Sequence, residues 1–277
     1  MIEKERVGLN RIILPNTPLD EFVRFAASLG LSGIELRNDL PRGIIDHLSP
    51  ESARDLFEQS AVEVWSINAL QRFNVASLLP DLTEELKELI DLSKIIGCEA
   101  IVLCPNNDPA DPRQAIQFFA ETVRALQTFG PLFVDSGLKG YIEPLGFRES
   151  SLRSKVLALK AIREAGYPVY SIVHDTFHHH IGPEAISTLI EEYEVAATGL
   201  VHVSGVECSL AVADYRDEHR MLVGANDLLK SKEQIEVLLQ LGYDGKISFE
   251  PFSKEIQSRD PEELRETLIG SIEYLCK

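Results

Sequence analysis

Short runs rich in β-branched and aromatic residues recur eight times along the chain, and segments with the apolar spacing of amphipathic helices lie between them. Several helical segments, such as PLDEFVRFAASLG and LTEELKELIDLSKIIG, end in the glycine that favours helix termination. Eight alternating strand and helix units in one domain length predict the α/β class and a (β/α)8 barrel, the TIM-barrel fold, as a single domain over residues 1–277. The predicted strands are residues 7–14, 33–37, 62–68, 100–105, 139–145, 170–176, 199–205 and 246–252.

Four of the predicted strands end in a side chain that can bind a metal ion or transfer a proton. A carboxylate or an imidazole inside such an apolar run needs a partner, because burying an unpaired charge costs several kcal/mol. Three carboxylates and one imidazole on strands five to eight therefore predict a divalent-metal site. The four residues are Glu143 in KGYIEPLG, Asp175 in YSIVHDTFHHH, His202 in GLVHVSG and Glu250 in KISFEPF.

The spacing of these residues fits neighbouring strands of a barrel, whose catalytic groups lie at the carboxyl ends of the strands. Asp175 follows Glu143 by 32 residues and His202 follows Asp175 by 27, about one βα unit each. Glu250 follows His202 by 48 residues because a long connection, about residues 206–223, separates the seventh strand from its helix. Long βα connections often carry function. His174 is predicted by strand alternation to point outward to the helices.

The charge of the chain argues against nucleic acid and anionic membranes as partners. Lys and Arg number 27 against 44 Asp and Glu, a formal net charge of −17, so the general field repels phosphate backbones. No segment approaches the roughly 20 apolar residues of a membrane span, and the N-terminus lacks the apolar stretch of a signal peptide. The four cysteines form no C-x-x-C pair. These features predict a cytoplasmic protein with reduced thiols.

The four candidate ligands resemble those of the xylose-isomerase-like TIM barrels, also called the sugar phosphate isomerase/epimerase superfamily. The resemblance covers essentially the whole chain. It implies one divalent ion, Mn, Co, Zn or Mg, held by Glu143, Asp175, His202 and Glu250. The run DTFH at 175–178 is similar to the D-x-x-H of that family, whose histidine lines the site beside the metal, which implies a substrate contact for His178.

Within this superfamily the chain looks most like the inosose (keto-inositol) isomerases of inositol catabolism. The similar segments are SINALQRFN at 66–74, GIELRND at the second strand and ISFEPFS at the eighth. The family arginine before a Pro-Gly-x-Gly turn is matched by Arg220 and Gly224, whereas Val223 replaces the proline and Asn226 the second glycine. Asn68 and Asn74 are candidates for binding substrate hydroxyl groups, and Glu35 for a substrate contact at the end of strand two.

The mechanism implied is proton transfer through an enediolate. A divalent ion stabilises negative charge on adjacent carbonyl and hydroxyl oxygens of a keto-polyol. Glu143 and Glu250 are predicted to be the paired acid and base, with Asp175 and His202 chiefly as ligands. His178 and Arg220 then orient substrate oxygens, and the substrate is a small polyol or ketose.

Other activities fit the same pattern. An inosose dehydratase or a ketose 3-epimerase would use the same ligands. A DNA-repair enzyme of the endonuclease IV type needs further His ligands on strands two and three, and the only His before residue 174 is His47. A non-catalytic sugar-binding barrel would bind without turnover. The oligomeric state stays open, a homodimer included.

Overall fold

The computed structural model describes residues 2–277 and contains a closed barrel of eight parallel strands. Each strand pairs with the next one along the chain, and β8 closes the barrel on β1. The predicted (β/α)8 fold is therefore confirmed. The strands are β1 Val7–Asn10, β2 Gly33–Arg37, β3 Glu63–Leu70, β4 Ala100–Leu103, β5 Lys139–Ile142, β6 Tyr170–Asp175, β7 Thr198–Val203 and β8 Lys246–Phe249.

Ten α-helices lie around the barrel in this part of the chain. Serine and aspartate side chains cap several N-termini, and glycines with positive φ, such as Gly97, follow several C-termini. The helices are α1 Leu19–Ser28, α2 Pro50–Ser60, α3 Leu79–Ile96, α4 Ala115–Ser136, α5 Lys155–Ala165, α6 Thr176–Ile181, α7 Ile186–Glu191, α8 Ser231–Gln240, α9 Lys254–Gln257 and α10 Pro261–Cys276. Short 3₁₀ helices span Lys4–Arg6, Arg11–Ile13, Ala76–Leu78, Val195–Ala197, Val212–Asp214 and Asp217–His219.

The first strand is shorter than its apolar run predicts. The run VGLNRIIL continues to residue 14, but the strand ends at Asn10 because the Asn10 side chain accepts a hydrogen bond from the backbone amide of Ile12. This local bond favours a 3₁₀ turn over further strand pairing. As a result, the Asn10 amide group is placed at the carboxyl end of the barrel.

Strand alternation divides the buried residues into an inner and an outer layer. Outward residues such as Ile142 and Val201 belong to the core between the sheet and the helices. Inward residues, among them Tyr141, Val173 and Leu200, pack with Trp65 inside the barrel. Trp65 lies so close to β2 that a Cβ on Gly33 would be 1.8 Å from its ring, so only glycine fits there.

The inward register sets the direction of the candidate ligands. Glu143, Asp175 and His202 each come two residues after Tyr141, Val173 and Leu200 respectively, so they point to the same inner side.

The long connection after β7 runs from residue 204 to residue 230, further than predicted. Among residues 2–277, no helix is both long and apolar enough to span a bilayer.

Candidate metal centre

The four predicted ligands meet at the carboxyl end of the barrel. All four are buried, and one ligand atom from each lies within 4.8 Å of the others. The Nδ1 atom of His202 is 2.8 Å from Glu143 Oε1, 3.2 Å from Glu250 Oε2 and 4.0 Å from Asp175 Oδ2. Protein ligands of a divalent ion about 2.0–2.2 Å away would be separated by similar distances.

Local structure fixes each carboxylate. Glu143 and Glu250 come directly after the last residues of β5 and β8. Asp175 ends β6 and is also the N-cap of α6, where its Oδ1 accepts a 2.7 Å hydrogen bond from the amide of His178. Capping leaves Oδ2 directed to the centre.

Glu35 sets the orientation of His202 from below the centre. Its Oε2 accepts hydrogen bonds from His202 Nε2 at 3.0 Å, Ser66 Oγ at 2.6 Å and Asn68 Nδ2 at 2.8 Å. Because the carboxylate only accepts, the Nε2 of His202 carries a proton and the Nδ1 is left for the ion. A carboxylate behind a ligating histidine is a common arrangement in metal sites.

The charges of the centre fit a divalent cation. With His202 neutral, four buried carboxylates face two buried guanidinium groups, which leaves two negative charges uncompensated in a site of low polarity. A divalent ion would balance them. The carboxylates belong to Glu35, Glu143, Asp175 and Glu250, and the guanidinium groups to Arg37 and Arg220.

Without the ion, a proton on His202 takes over part of this role. Burial opposes protonation, but the carboxylates of Glu250, Glu35 and Glu143 outweigh it and raise the pKa of His202 well above its usual range. The protonated ring then donates Nδ1–H to Glu143. The bound ion and this proton compete for the same nitrogen.

Metal affinity is therefore expected to rise with pH. Below the raised pKa of His202, and while the carboxylates stay ionised, each ion bound displaces one proton from this ring, so the apparent Kd falls about tenfold per pH unit. Calorimetric titration with Zn or Mn in buffers of different ionisation enthalpy measures the proton release. Binding at pH 7 without proton release would show that His202 is neutral before the ion arrives.

The two glutamates have unequal surroundings. Glu250 accepts from Asn10 at 3.1 Å, Arg37 at 2.9 Å and Arg220 at 2.8 Å. Burial raises the pKa of Glu250, but His202, Arg220 and Arg37 outweigh it and lower that pKa below its usual value.

Glu143 has fewer donors. Besides His202, its side-chain carboxylate contacts the Cys104 thiol, with Sγ 3.4 Å from Oε2. A thiol is a weak donor, so the Glu143 carboxylate is the less restrained of the two glutamates.

Above the centre lies an open cleft of about 230 Å³. Phe252 forms one wall, with the guanidinium carbons of Arg37 and Arg220 5.2 Å and 4.6 Å from its ring centroid. His178 packs edge-on against Phe147, and its buried Nδ1 has no partner among residues 2–277. Other polar residues at the cleft are Asp39, Asn68, Gln71, Cys104, Asn107 and Asp217.

The residues that were predicted to contact the substrate lie in different parts of the site. His178 and Arg220 line the cleft, and Arg220 also bridges the metal ligands Asp175 and Glu250. Asn68 borders the cleft while donating to Glu35. Glu35 itself is fully buried under His202, so its observed contacts are to protein groups.

Asn74 is not brought to the cleft. Its Nδ2 donates to Thr122 at 2.9 Å, and its Oδ1 accepts from the amide of Asn106 and the hydroxyl of Ser151, both at 3.0 Å. These bonds join the loop of Asn74 to α4 and to the loops that carry Asn106 and Ser151. Asn74 and Asn68 belong to the same segment, residues 66–74. Their closeness in sequence does not show which of the two side chains faces the cleft.

The remaining histidines lie in separate environments. His174 points outward as predicted, with Nε2 3.0 Å from Gln234 Oε1 of α8. His179 contacts the buried amine of Lys155 at 2.8 Å, and burial lowers the pKa of Lys155 to about 8. Of the triple histidine, His178 is the one that lines the cleft.

Sequence reasoning missed Asn10 and Cys104, and at Arg37 the sequence does not distinguish a ligand contact from an ion pair. Each follows or ends a strand, as the predicted ligands do, so the same criterion applied to β1, β2 and β4 would have found them. Neither the amide of Asn10 nor the thiol of Cys104 suggests a hard-metal ligand by itself.

Comparisons with known proteins place this geometry in a known group. Residues 23–274 match the model of the xylose isomerase-like TIM barrel family. A xylose isomerase domain-containing protein from Salmonella typhimurium LT2 is 36% identical over 100% of this chain and 99% of that one, with a TM-score of 0.93. Among curated proteins, none matches the sequence.

Two solved structures of lower identity share the fold. The IolI protein with a bound zinc atom is 18% identical over 98% of this chain and 97% of that one, with a TM-score of 0.89. D-Psicose 3-epimerase in the presence of D-fructose is 14% identical over 97% of both chains, with a TM-score of 0.77. At these identities the likeness is to the fold.

Proposed function

The chain belongs to the xylose isomerase-like TIM barrel family, and on this basis we propose that it is a divalent-metal-dependent isomerase or epimerase of a keto-polyol. The observation that carries the proposal is the convergence of Glu143, Asp175, His202 and Glu250 on one point beneath an open polar cleft. Superfamily members are mostly isomerases and epimerases, and a zinc atom is bound in the IolI protein.

The ion would supply Lewis acidity to adjacent carbonyl and hydroxyl oxygens of the substrate. Glu143 would remove the proton from the carbon beside the carbonyl, and the support for this role is that its carboxylate has fewer strong donors than that of Glu250. Glu250, on the Arg37 and Arg220 side of the centre, is the candidate for proton exchange at the neighbouring carbon. Both residues would also be ligands of the ion.

The cleft residues would orient the substrate. His178 Nδ1 is an unused hydrogen-bonding atom at the cleft. The guanidinium groups of Arg37 and Arg220 both contact Phe252 and favour the ionised form of Glu250. Asn68, Gln71 and Asn107 add neutral polar groups suited to hydroxyl-rich compounds.

The specific substrate that we propose is a keto-inositol, with inosose isomerisation in inositol catabolism as the reaction. The support is the similarity of segments 66–74, 33–39 and 247–253 to inosose isomerases, together with the structural likeness to IolI. The cleft over the centre offers several neutral and charged polar side chains, which suit a ring of hydroxyl groups. Cytoplasmic location remains part of this proposal.

Ketose 3-epimerisation is the second candidate, because D-psicose 3-epimerase shares the fold and uses a free ketose. Incubation of the metal-replete protein with a keto-inositol or D-fructose in D2O, followed by proton NMR, separates the reactions. Isomerase or epimerase activity exchanges carbon-bound hydrogen for deuterium and forms an isomer, whereas a dehydratase forms a product that has lost water. Absence of exchange and of any product with keto-inositols and ketoses would reject the proposal.

Replacing His178 by alanine is expected to lower kcat/KM about 10-fold to 100-fold and to leave the metal content unchanged, because the ring lines the cleft but is not among the ligands. His180→Ala is the matched control, since His180 lies outside the cleft beside Tyr215. Steady-state kinetics and elemental analysis of both variants give the answer. Loss of metal in His178→Ala would make this histidine a ligand.

A further inference from the structure

A second groove lies beside the catalytic cleft at the mouth of the barrel. It has a volume of about 200 Å³ and lies between the β5–α5 connection, the end of α6 and the β7–α8 connection. Phe147 lines both the groove and the cleft. Arg216 of the groove directly precedes Asp217 of the cleft. The two cavities are therefore neighbours along one face.

Three arginines line this groove: Arg148, Arg153 and Arg216. Most arginines of this acidic chain pair with a carboxylate. Within residues 2–277, however, no carboxylate lies within salt-bridge distance of these three arginines. Arg216 donates instead to the backbone carbonyls of Ala213 and Tyr215. Glu149 is the one acidic residue in the lining, so the groove has an excess of two positive charges.

Arg153 is held in place as a fixed cation. Its Nε and Nη2 donate to the carbonyl oxygen of Gly146 at 3.1 and 2.7 Å, and Nη2 also reaches that of Ile181 at 3.4 Å. These bonds join the β5–α5 connection to the end of α6. Burial lowers the pKa of Arg153, and the nearby charge of Arg148 lowers it further, so the two cations repel each other. An anion between them would remove this repulsion.

The chemistry of the groove favours one kind of ligand. Guanidinium groups present paired N–H donors that match the oxygens of a phosphate or a carboxylate. Such a cluster repels metal cations, and a neutral sugar would leave its charge excess uncompensated. The groove lies next to the cleft in which the reacting carbons would lie, because Phe147 lines both cavities.

We propose that this groove binds an anionic group, phosphate or carboxylate, carried by the substrate, so that the physiological substrate is an anionic keto-polyol. This inference rests on the proposed function and narrows its substrate class. The carbonyl and its neighbouring carbon occupy the cleft over the metal centre, and the anionic group extends past Phe147 to the arginines. The keto-inositol of the proposed function would then carry the anionic group as a substituent, and a neutral keto-inositol represents only its reacting part.

Inorganic phosphate tests the site without a sugar. Calorimetric titration of the metal-replete protein is expected to show binding that weakens about 5-fold to 10-fold in Arg148→Ala and in Arg216→Ala, the scale of one partly exposed charge-assisted hydrogen bond. Arg124→Ala, which removes an exposed arginine of α4, serves as the control and leaves the affinity unchanged. No phosphate binding at millimolar concentration, or equal binding by all variants, overturns the site.

A second experiment assigns the anion to the substrate. D-Fructose and D-fructose 6-phosphate are compared by deuterium exchange in D2O, and the phosphate ester is expected to have at least about tenfold higher kcat/KM. The ratio falls toward one in the Arg148→Ala, Arg216→Ala double variant and stays high in Arg124→Ala. Equal rates for both sugars alongside phosphate binding would show that the groove holds a free anion and would overturn the substrate assignment.

Failure of the proposed function gives a different pattern. If neither sugar exchanges, the affinities of the two sugars are compared by calorimetry on the same variants. Tighter binding of the ester that is lost in the double variant retains the anionic subsite while rejecting the isomerase. Equal affinities would overturn the subsite as well.

Discussion

Replacement of Glu143 by glutamine is expected to lower kcat by about two to four orders of magnitude, the usual loss when a general base is removed. The amide keeps the size of the side chain and one donor oxygen for the ion, but it cannot take a proton. Glu143 Oε1 lies 2.8 Å from His202 Nδ1, so that oxygen can still reach the ion. Steady-state kinetics with elemental analysis separates lost chemistry from lost metal.

Glu164→Gln is the matched control, because Glu164 lies exposed on α5 far from the cleft. It is expected to retain wild-type kcat and metal. Glu250→Gln is expected to show a loss similar to that of Glu143→Gln if both glutamates transfer protons. A near-wild-type kcat in either cleft variant would reject the paired-glutamate mechanism.

Removal of Asp175 is expected to abolish both tight metal binding and turnover. Asp175→Ala takes away one of four ligands and leaves Arg220 with one fewer anionic partner at the centre. In the wild type, an ion at about 1,000 times its Kd stabilises the fold by about 4 kcal/mol. This stabilisation corresponds to a rise in Tm of roughly 10 °C. The variant should lack this rise.

Asp217→Ala is the control for the loss of a charge beside Arg220. Asp217 contacts the same guanidinium group at 3.3 Å but is half exposed and outside the ligand set. Its Tm is expected to rise with metal as in the wild type. Scanning calorimetry with and without added Mn or Zn measures both variants, and an unchanged metal response in Asp175→Ala would show that Asp175 is not a metal ligand.

Much of the barrel and its ligand set follows from local sequence patterns. A strand of a closed barrel has a fixed inward side, so a polar residue two positions after Tyr141 or Leu200 must face the centre. The identities of Glu143 and His202 then indicate the chemistry. The exact ends of strands were less predictable, as at β1, where a single side-chain bond from Asn10 stops the strand early.

The roles of supporting residues depend on contacts between distant parts of the chain. Glu35 and His202 are 167 positions apart, so no local pattern shows that one orients the other. Asn74 occupies a loop whose direction is set by Thr122 and Ser151, which lie on other units of the barrel. Arg37 and Arg220, 183 positions apart, both contact Phe252 and Glu250. Such long-range pairs require the folded structure.

The metal content of the protein purified without chelators, measured by elemental analysis and again after dialysis with Mn, Co or Zn, tests the metal centre most directly. About one divalent ion per chain is expected, because the site offers four converging donors and two uncompensated negative charges. A protein that contains no ion and takes up none of the three metals would contradict the metal-dependent mechanism.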